Sequence, residues 1–179
     1  MINAVYAVGP NGEFGTDEGR LPWGSFPQEL ENFYNLLEKD FKSAIILVGK
    51  RTYETAPPRL KRLLSERYVL VYGRTPPKDW LHDSKHKLLT QIGRGLQSYT
   101  EEVDIVCLGG KTVIELLASK KLINTHVRSI VTRKYCDDGF ASARVFLDPY
   151  KLGLEDAAII EHKRGHSDML EFIQQGVYL

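Results

Sequence analysis

The feature that most constrains this chain is a set of short apolar runs, at residues 4–8, 44–48, 68–72, 103–108 and 127–131. Each is rich in valine, isoleucine or leucine and is bounded by glycine, proline or charge, so each reads as a strand. Apolar residues at consecutive rather than alternate positions imply strands covered on both faces. Helix-like stretches separate the first four runs, and that alternation predicts an α/β fold with a mainly parallel central sheet. After residue 127 the helical signal stops. Residues 157–161 and 169–174 read as further strands that close the sheet with an antiparallel hairpin. The most loop-like pieces are 12–19, 75–87 and 135–144.

The 179 residues suffice for one domain spanning 1–179 with a core of its own. No apolar run approaches the roughly 20 residues needed to span a bilayer, so no membrane association is expected. Residues 1–9 have neither a basic region nor a long apolar one, nothing there looks like a secretion signal, and the expected compartment is the cytosol. The two cysteines, Cys107 in an apolar run and Cys136 in a polar turn, are expected to stay reduced. A net charge of +1 provides no global field for nucleic acid, so any anion site must be a local cluster.

Past Pro27, Glu29, Phe33, Leu36 and Leu37 recur at helical spacing and fall on one face, which places a carboxylate in an apolar stripe. Desolvation there raises a carboxyl pKa toward values useful for proton chemistry. An acid in a first helical turn also suits the positive end of the macrodipole, and from the helix alone that simpler account is preferred. The preceding loop, residues 15–24, shifts the balance, because it brings flexible glycines and Trp23 immediately before the acid. A mobile flap beside a buried acid is an active-site arrangement.

Three further clusters follow strands. Gly49-Lys50-Arg51-Thr52 offers backbone N–H groups, two cations and a hydroxyl at a helix start, a combination suited to phosphate. Gly73-Arg74 follows the next strand in the same way. Two basic groups at neighbouring strand ends could share one phosphate, and a 2′-phosphate would explain a preference for NADPH. Gly109-Gly110-Lys111-Thr112 precedes a helical pattern at 113–117, and its glycine pair allows close approach of a pyrophosphate.

Its ending imitates a P-loop, but the required first glycine would fall at Ile105, so an NTPase is excluded, and the full Rossmann fingerprint is absent too. His82/His86 and His162/His166 are each four apart, lack a third ligand and are read as surface histidines, so no metal site is expected. No nucleophile elbow or reactive-cysteine setting occurs.

Taken in order, these pieces resemble the dihydrofolate reductase family across most of the chain. The resemblance runs through Val5-Tyr6-Ala7, Gly15, Leu21-Pro22-Trp23, Pro27-Gln28-Glu29-Leu30 and Phe33. It continues with Gly49-Lys50-Arg51-Thr52, residues 67–71, Leu108-Gly109-Gly110, Val131-Thr132 and Phe146-Leu147-Asp148. It implies that family's fold: about eight strands, mostly parallel, helices on both faces and a C-terminal antiparallel hairpin. It also implies reduction of 7,8-dihydrofolate to tetrahydrofolate by NADPH in a monomeric protein that is open to antifolates.

By the same resemblance Glu29 holds the pterin by two hydrogen bonds, Thr132 braces that pair, Trp23 orders water near the acid, and Leu21 lies on the flap. Val5, Tyr6, Leu30 and Phe33 fall to the substrate slot. Arg67 pairs with the substrate's glutamate carboxylate, where the planar fork of arginine fits, with Arg62 as a rival. Lys50, Arg51, Thr52 and Arg74 hold cofactor phosphates, and Ala7, Gly15, Leu108, Gly109, Gly110, Lys111, Thr112 and Val113 complete the cofactor site. Departures from the family's pattern are Tyr6, Lys111, Ile114 where a tyrosine is usual, and a flap with Gly19 or a neighbour inserted. Two alternatives stay open: the pyrimidine reductase of riboflavin synthesis, similar in fold and cofactor, and a catalytically idle nucleotide-binding homologue.

Overall fold

The structure is a computed structural model, which describes residues 1–16, 20–93, 95–96, 99, 102–132, 140–154, 158–166 and 169–175, the last two stretches by their backbone only. In chain order the elements are β1 (Ile2–Val8), β2 (Glu13–Gly15), α1 (Pro27–Asn35) continued by a π-helical turn (Leu36–Asp40), β3 (Ile45–Gly49), α2 (Lys50–Glu54), α3 (Pro58–Ser65) and β4 (Val69–Tyr72). Then come β5 (His86–Leu89), β6 (Ile105–Gly109), α4 (Lys111–Ser119), β7 (Thr125–Val131), β8 (Val145–Phe146), β9 (Ala158–His166) and β10 (Met169–Gln175).

One eight-stranded sheet, in the order β5-β4-β3-β6-β1-β7-β10-β9, organises the molecule. Its first six strands are parallel, and β10 runs antiparallel to both β7 and β9, which is the expected hairpin closure. The apolar runs explain why both faces are covered. Ile46 and Val48 of β3 pack with Tyr34, Leu37, Leu60 and Leu64 on the α1–α3 face, while Leu47 between them packs with Leu117 and Ala118 of α4. Side chains two apart share a face, so a run apolar at every position satisfies two layers at once. Proline in the first turn of α1 and α3 suits positions where no helical hydrogen bond is lost.

Two loop expectations need correction. Residues 12–19 contain β2, which pairs antiparallel with β8, and the stretch 75–87 ends in β5. Both strands are short, and β5 is an edge strand reading His-Lys-Leu-Leu without β-branched residues, so periodicity does not reveal it. Gly19, Cys136 and the first half of the 135–144 loop lie outside the described residues, whereas Cys107 is a free, fully buried thiol in β6.

Candidate active site

α1 begins just after Phe26 and puts Glu29 in its first turn, 7% exposed. Burial pushes its carboxyl up from 4.5 to about 7, and no cation among the described residues opposes that shift. The two accounts of Glu29 can be weighed. A helix N-terminus favours an anion by up to about 1 kcal/mol, whereas a displacement of this size is roughly 3 kcal/mol the other way. Desolvation wins, so Glu29 is an acid held near neutrality rather than a helix-dipole partner. Its cost is of the order gained by burying one large apolar side chain, about 1.5–3 kcal/mol, and Leu36 and Leu37 on the same stripe are buried.

The segment before α1 folds back as a turn in which the Gly24 N–H donates to the Leu21 carbonyl at 3.1 Å. Gly24 has φ +70, a conformation that costs other residues about 1–2 kcal/mol. The turn leaves Leu21 exposed and drives Trp23 into a cluster with Phe26, Val131 and Phe140, against which Ala7 packs. Trp23 Nε1 is a buried donor with no partner among the described residues. Thr132 follows Val131 directly and is half-buried. The flap, the end of β1 and the end of β7 therefore meet beside α1. Val5 is buried on this face, Phe33 is partly buried against the same core, and Leu30 remains 44% exposed.

Tyr6 does not belong there. The two-residue period of β1 turns its side chain to the α4 face, where its hydroxyl lies 3.0 Å from His126 Nδ1. It lines, with Val8, Arg128, Ile130 and Leu147, a cavity of about 220 Å³ on the side of the sheet away from Val5. A substrate-slot role for its side chain is thereby overturned.

The three glycine clusters converge at the carboxyl ends of the adjacent strands β4, β3 and β6. A Cβ on Gly49 would sit 3.2 Å from Val113 Cγ2 and 3.4 Å from Gly110 N, one on Gly110 would lie 3.5 Å from Thr52 Oγ1, and one on Gly73 would lie 3.2 Å from the Lys50 Cβ. Lys50 Nζ donates to Thr75 Oγ1 at 2.8 Å, which draws this cation toward Gly73-Arg74. Arg51 and Arg74 are exposed. Gly109 has φ +100 and joins Gly110 through a cis peptide. Glycines thus keep the edge free of side chains beside two helix starts, and cations stand at its rim, a combination that fits a phosphorylated ligand.

Other assignments land at its margins. Lys111 leans on Glu115 of its own helix at 3.8 Å, Thr112 is exposed, and Val113 and Leu108 are buried in the two layers. Gly15 pairs with Val145 in the β2–β8 ladder.

Arg67 is half-buried, and its guanidinium donates to the carbonyls of Leu37 at 3.0 Å, Ala44 at 3.1 Å and Phe41. It thus ties the α3–β4 connection to the end of the helix that carries Glu29. Arg62 is exposed on α3.

The reading of His86 as a surface histidine is wrong. It is 5% exposed, its Nδ1 is 2.7 Å from the Tyr53 hydroxyl, and its Nε2 is 2.7 Å from the Leu64 carbonyl. His126 is fully buried, and burial first and Arg128 second lower its pKa to about 4. Each tyrosine partner is far away in sequence, so no local pattern announces either pair. No group of three or more metal-ligating side chains occurs among the described residues.

Fold and edge together define an α/β protein with a glycine-rich, cation-rimmed edge suited to a phosphorylated ligand and a buried acid in the helix that follows its first two strands. The family model for dihydrofolate reductase matches residues 1–142, and the chain belongs to that family. A dihydrofolate reductase of Escherichia phage T5 is 37% identical over 116 residues, a match spanning 64% of each chain. A solved dihydrofolate reductase from Enterococcus faecalis, complexed with NADP(H) and RAB-propyl, aligns over 98% of this chain and 96% of its own with a TM-score of 0.68. At 19% identity that likeness shows the fold alone.

Proposed function

We propose that the protein reduces 7,8-dihydrofolate to 5,6,7,8-tetrahydrofolate with NADPH, and the observation that carries this reading is Glu29, an isolated buried acid whose pKa lies at about 7. Its carboxylate accepts hydrogen bonds from a pterin ring N–H and the exocyclic amine, which fixes the ring plane, and Thr132 braces the pair. A group with a pKa at about 7 is half-protonated at neutral pH, the condition under which an acid best supports proton delivery, here to N5 by way of water. Trp23 Nε1, buried and without a partner among the described residues, suits an acceptor held beside the acid. Val5, Leu30 and Phe33 form the apolar wall of the slot that antifolates share, Leu21 covers it, and Arg67 takes the substrate's glutamate with the guanidinium N–H groups left over from its backbone contacts.

Lys50, Arg51, Thr52 and Arg74 hold the cofactor phosphates, with Gly109 and Gly110 letting the backbone approach. Ala7, Gly15, Leu108, Lys111, Thr112 and Val113 shape the rest of that site. NADPH, when bound, supplies the hydride that reaches C6. We place this unit, residues 1–179, in the cytosol as a monomer without nucleic-acid partners. Among the described residues no helix is long and apolar enough to cross a membrane.

The test is the loss of NADPH absorbance on mixing enzyme, NADPH and dihydrofolate. Turnover is expected. Activity confined to a pyrimidine bearing a ribose phosphate would favour the riboflavin reductase instead, and tight NADPH binding with no turnover would mark an idle homologue.

A further inference from the structure

A buried polar chain crosses the interior beneath the phosphate edge, and the chemistry proposed above makes no use of it. It starts at Leu81, whose N–H donates to the Tyr53 oxygen at 2.6 Å. Tyr53 is the fourth residue of α2, directly after Lys50-Arg51-Thr52. Its hydroxyl meets His86 Nδ1 at 2.7 Å, and His86 Nε2 meets the carbonyls of Leu64 at 2.7 Å and Arg67 at 3.2 Å.

Carbonyls only accept, so Nε2 carries the proton, Nδ1 accepts, and Tyr53 donates to it. One neutral tautomer satisfies every bond. Burial lowers the His86 pKa, in keeping with that neutral ring. Pairing of β5 with β4, His86 opposite Val69, holds the imidazole behind the α3–β4 connection.

The direction of these bonds gives the chain its meaning. Leu64 lies in the last turn of α3, where carbonyls need partners from outside the helix, and Arg67 comes three residues later. His86 fixes the Arg67 backbone from behind. The carbonyls of Leu37, Phe41 and Ala44 hold its guanidinium from the front. Arg67 is pinned at both ends, and its pinning reaches α2 and the phosphate cluster through Tyr53.

We propose that His86 is a positioning residue: through the Arg67 and Leu64 carbonyls it sets the guanidinium that receives the substrate's glutamyl carboxylate. Tyr53 orients the ring and links that setting to the helix bearing the cofactor cluster. The proposal rests on the reading of Arg67 as the glutamate site.

The test compares dihydrofolate with 7,8-dihydropteroate, which lacks only the glutamyl group, in the full chain with saturating NADPH. For H86F the KM for dihydrofolate should rise about tenfold with kcat within about twofold, while the KM for dihydropteroate stays within about twofold. H86Q, whose amide N–H can replace Nε2–H toward the carbonyls, should restore most of the difference. Y53F should move the same way by about threefold, and it carries the test if H86F does not fold.

R67K separates the two claims. If R67K abolishes the preference for the glutamylated substrate while H86F and Y53F change both substrates equally, or neither, the role of His86 is overturned and that of Arg67 stands. If R67K leaves the preference intact, the glutamate site itself is misassigned and the role of His86 falls with it. A purely structural His86 would lower Tm without any tail-dependent KM.

Discussion

At Glu29 the chain buries a carboxyl in an apolar stripe, whereas at Gly49, Gly73 and Gly109–Gly110 it removes side chains and leaves cations at the rim. Both regions lie at the carboxyl edge of the same sheet, yet they use burial in opposite ways. Desolvation changes what Glu29 is, an acid with a pKa at about 7 instead of 4.5. At the glycine edge close approach is the point, since strand ends and helix starts crowd together where a Cβ would not fit, while Arg51 and Arg74 stay exposed at the rim. On the proposed function the first region serves the chemistry and the second the cofactor, and substitutions should then separate along that line.

The largest separation is expected at the acid. Glu29→Gln keeps the shape and loses the ionisable group, so kcat should fall by about 10²–10⁴, the usual contribution of a positioned proton-transfer group. The Kd for NADPH, followed by fluorescence titration, should change by less than about twofold. Equal losses in both would collapse the contrast and give Glu29 a folding role.

The same residue makes a second, smaller prediction about stability. A carboxyl whose folded pKa is raised binds more protons in the native state than in the unfolded one between pH 4.5 and about 7, so stability falls as pH rises through that window. The loss attributable to Glu29 should approach roughly 3 kcal/mol above pH 7. His126 acts with the opposite sign: its pKa, lowered to about 4, removes stability as pH falls below 6.5. Urea melts of wild type and E29Q across pH 4 to 8 cancel that common contribution. A constant difference between the two proteins at every pH would mean that Glu29 is not held protonated by burial.

How much of this contrast the sequence discloses follows from the range of each signal. The strands, the Glu29 stripe and the three strand-end clusters depend on residues within a few positions of one another, so spacing alone exposes them. Which clusters meet depends on strand order, and sequence places Gly73-Arg74 beside Gly49-Lys50 only by supposing neighbouring strands. The family resemblance assigns Tyr6 to the slot, but the alternation of β1 already points it to the face opposite Val5. His86 and His126 escape notice because their partners, Tyr53 and Tyr6, are 33 and 120 residues away. A buried histidine whose ring nitrogen meets a distant hydroxyl looks, in sequence, like a surface one.

The smallest predicted effect tests the glycine edge. Arg74 is exposed and Lys50 is drawn toward it through Thr75, so a 2′-phosphate shared between them would be held by solvent-screened charge worth up to about 1 kcal/mol per contact. Arg74→Gln should weaken NADPH binding about two- to fivefold, leave NADH binding unchanged, and reduce the salt dependence of NADPH affinity. Turnover at saturating cofactor should stay close to wild type, because this charge is remote from the acid. An equal loss for NADPH and NADH would move Arg74 away from the 2′-phosphate and onto the pyrophosphate, leaving Lys50 and Arg51 to account for any cofactor preference.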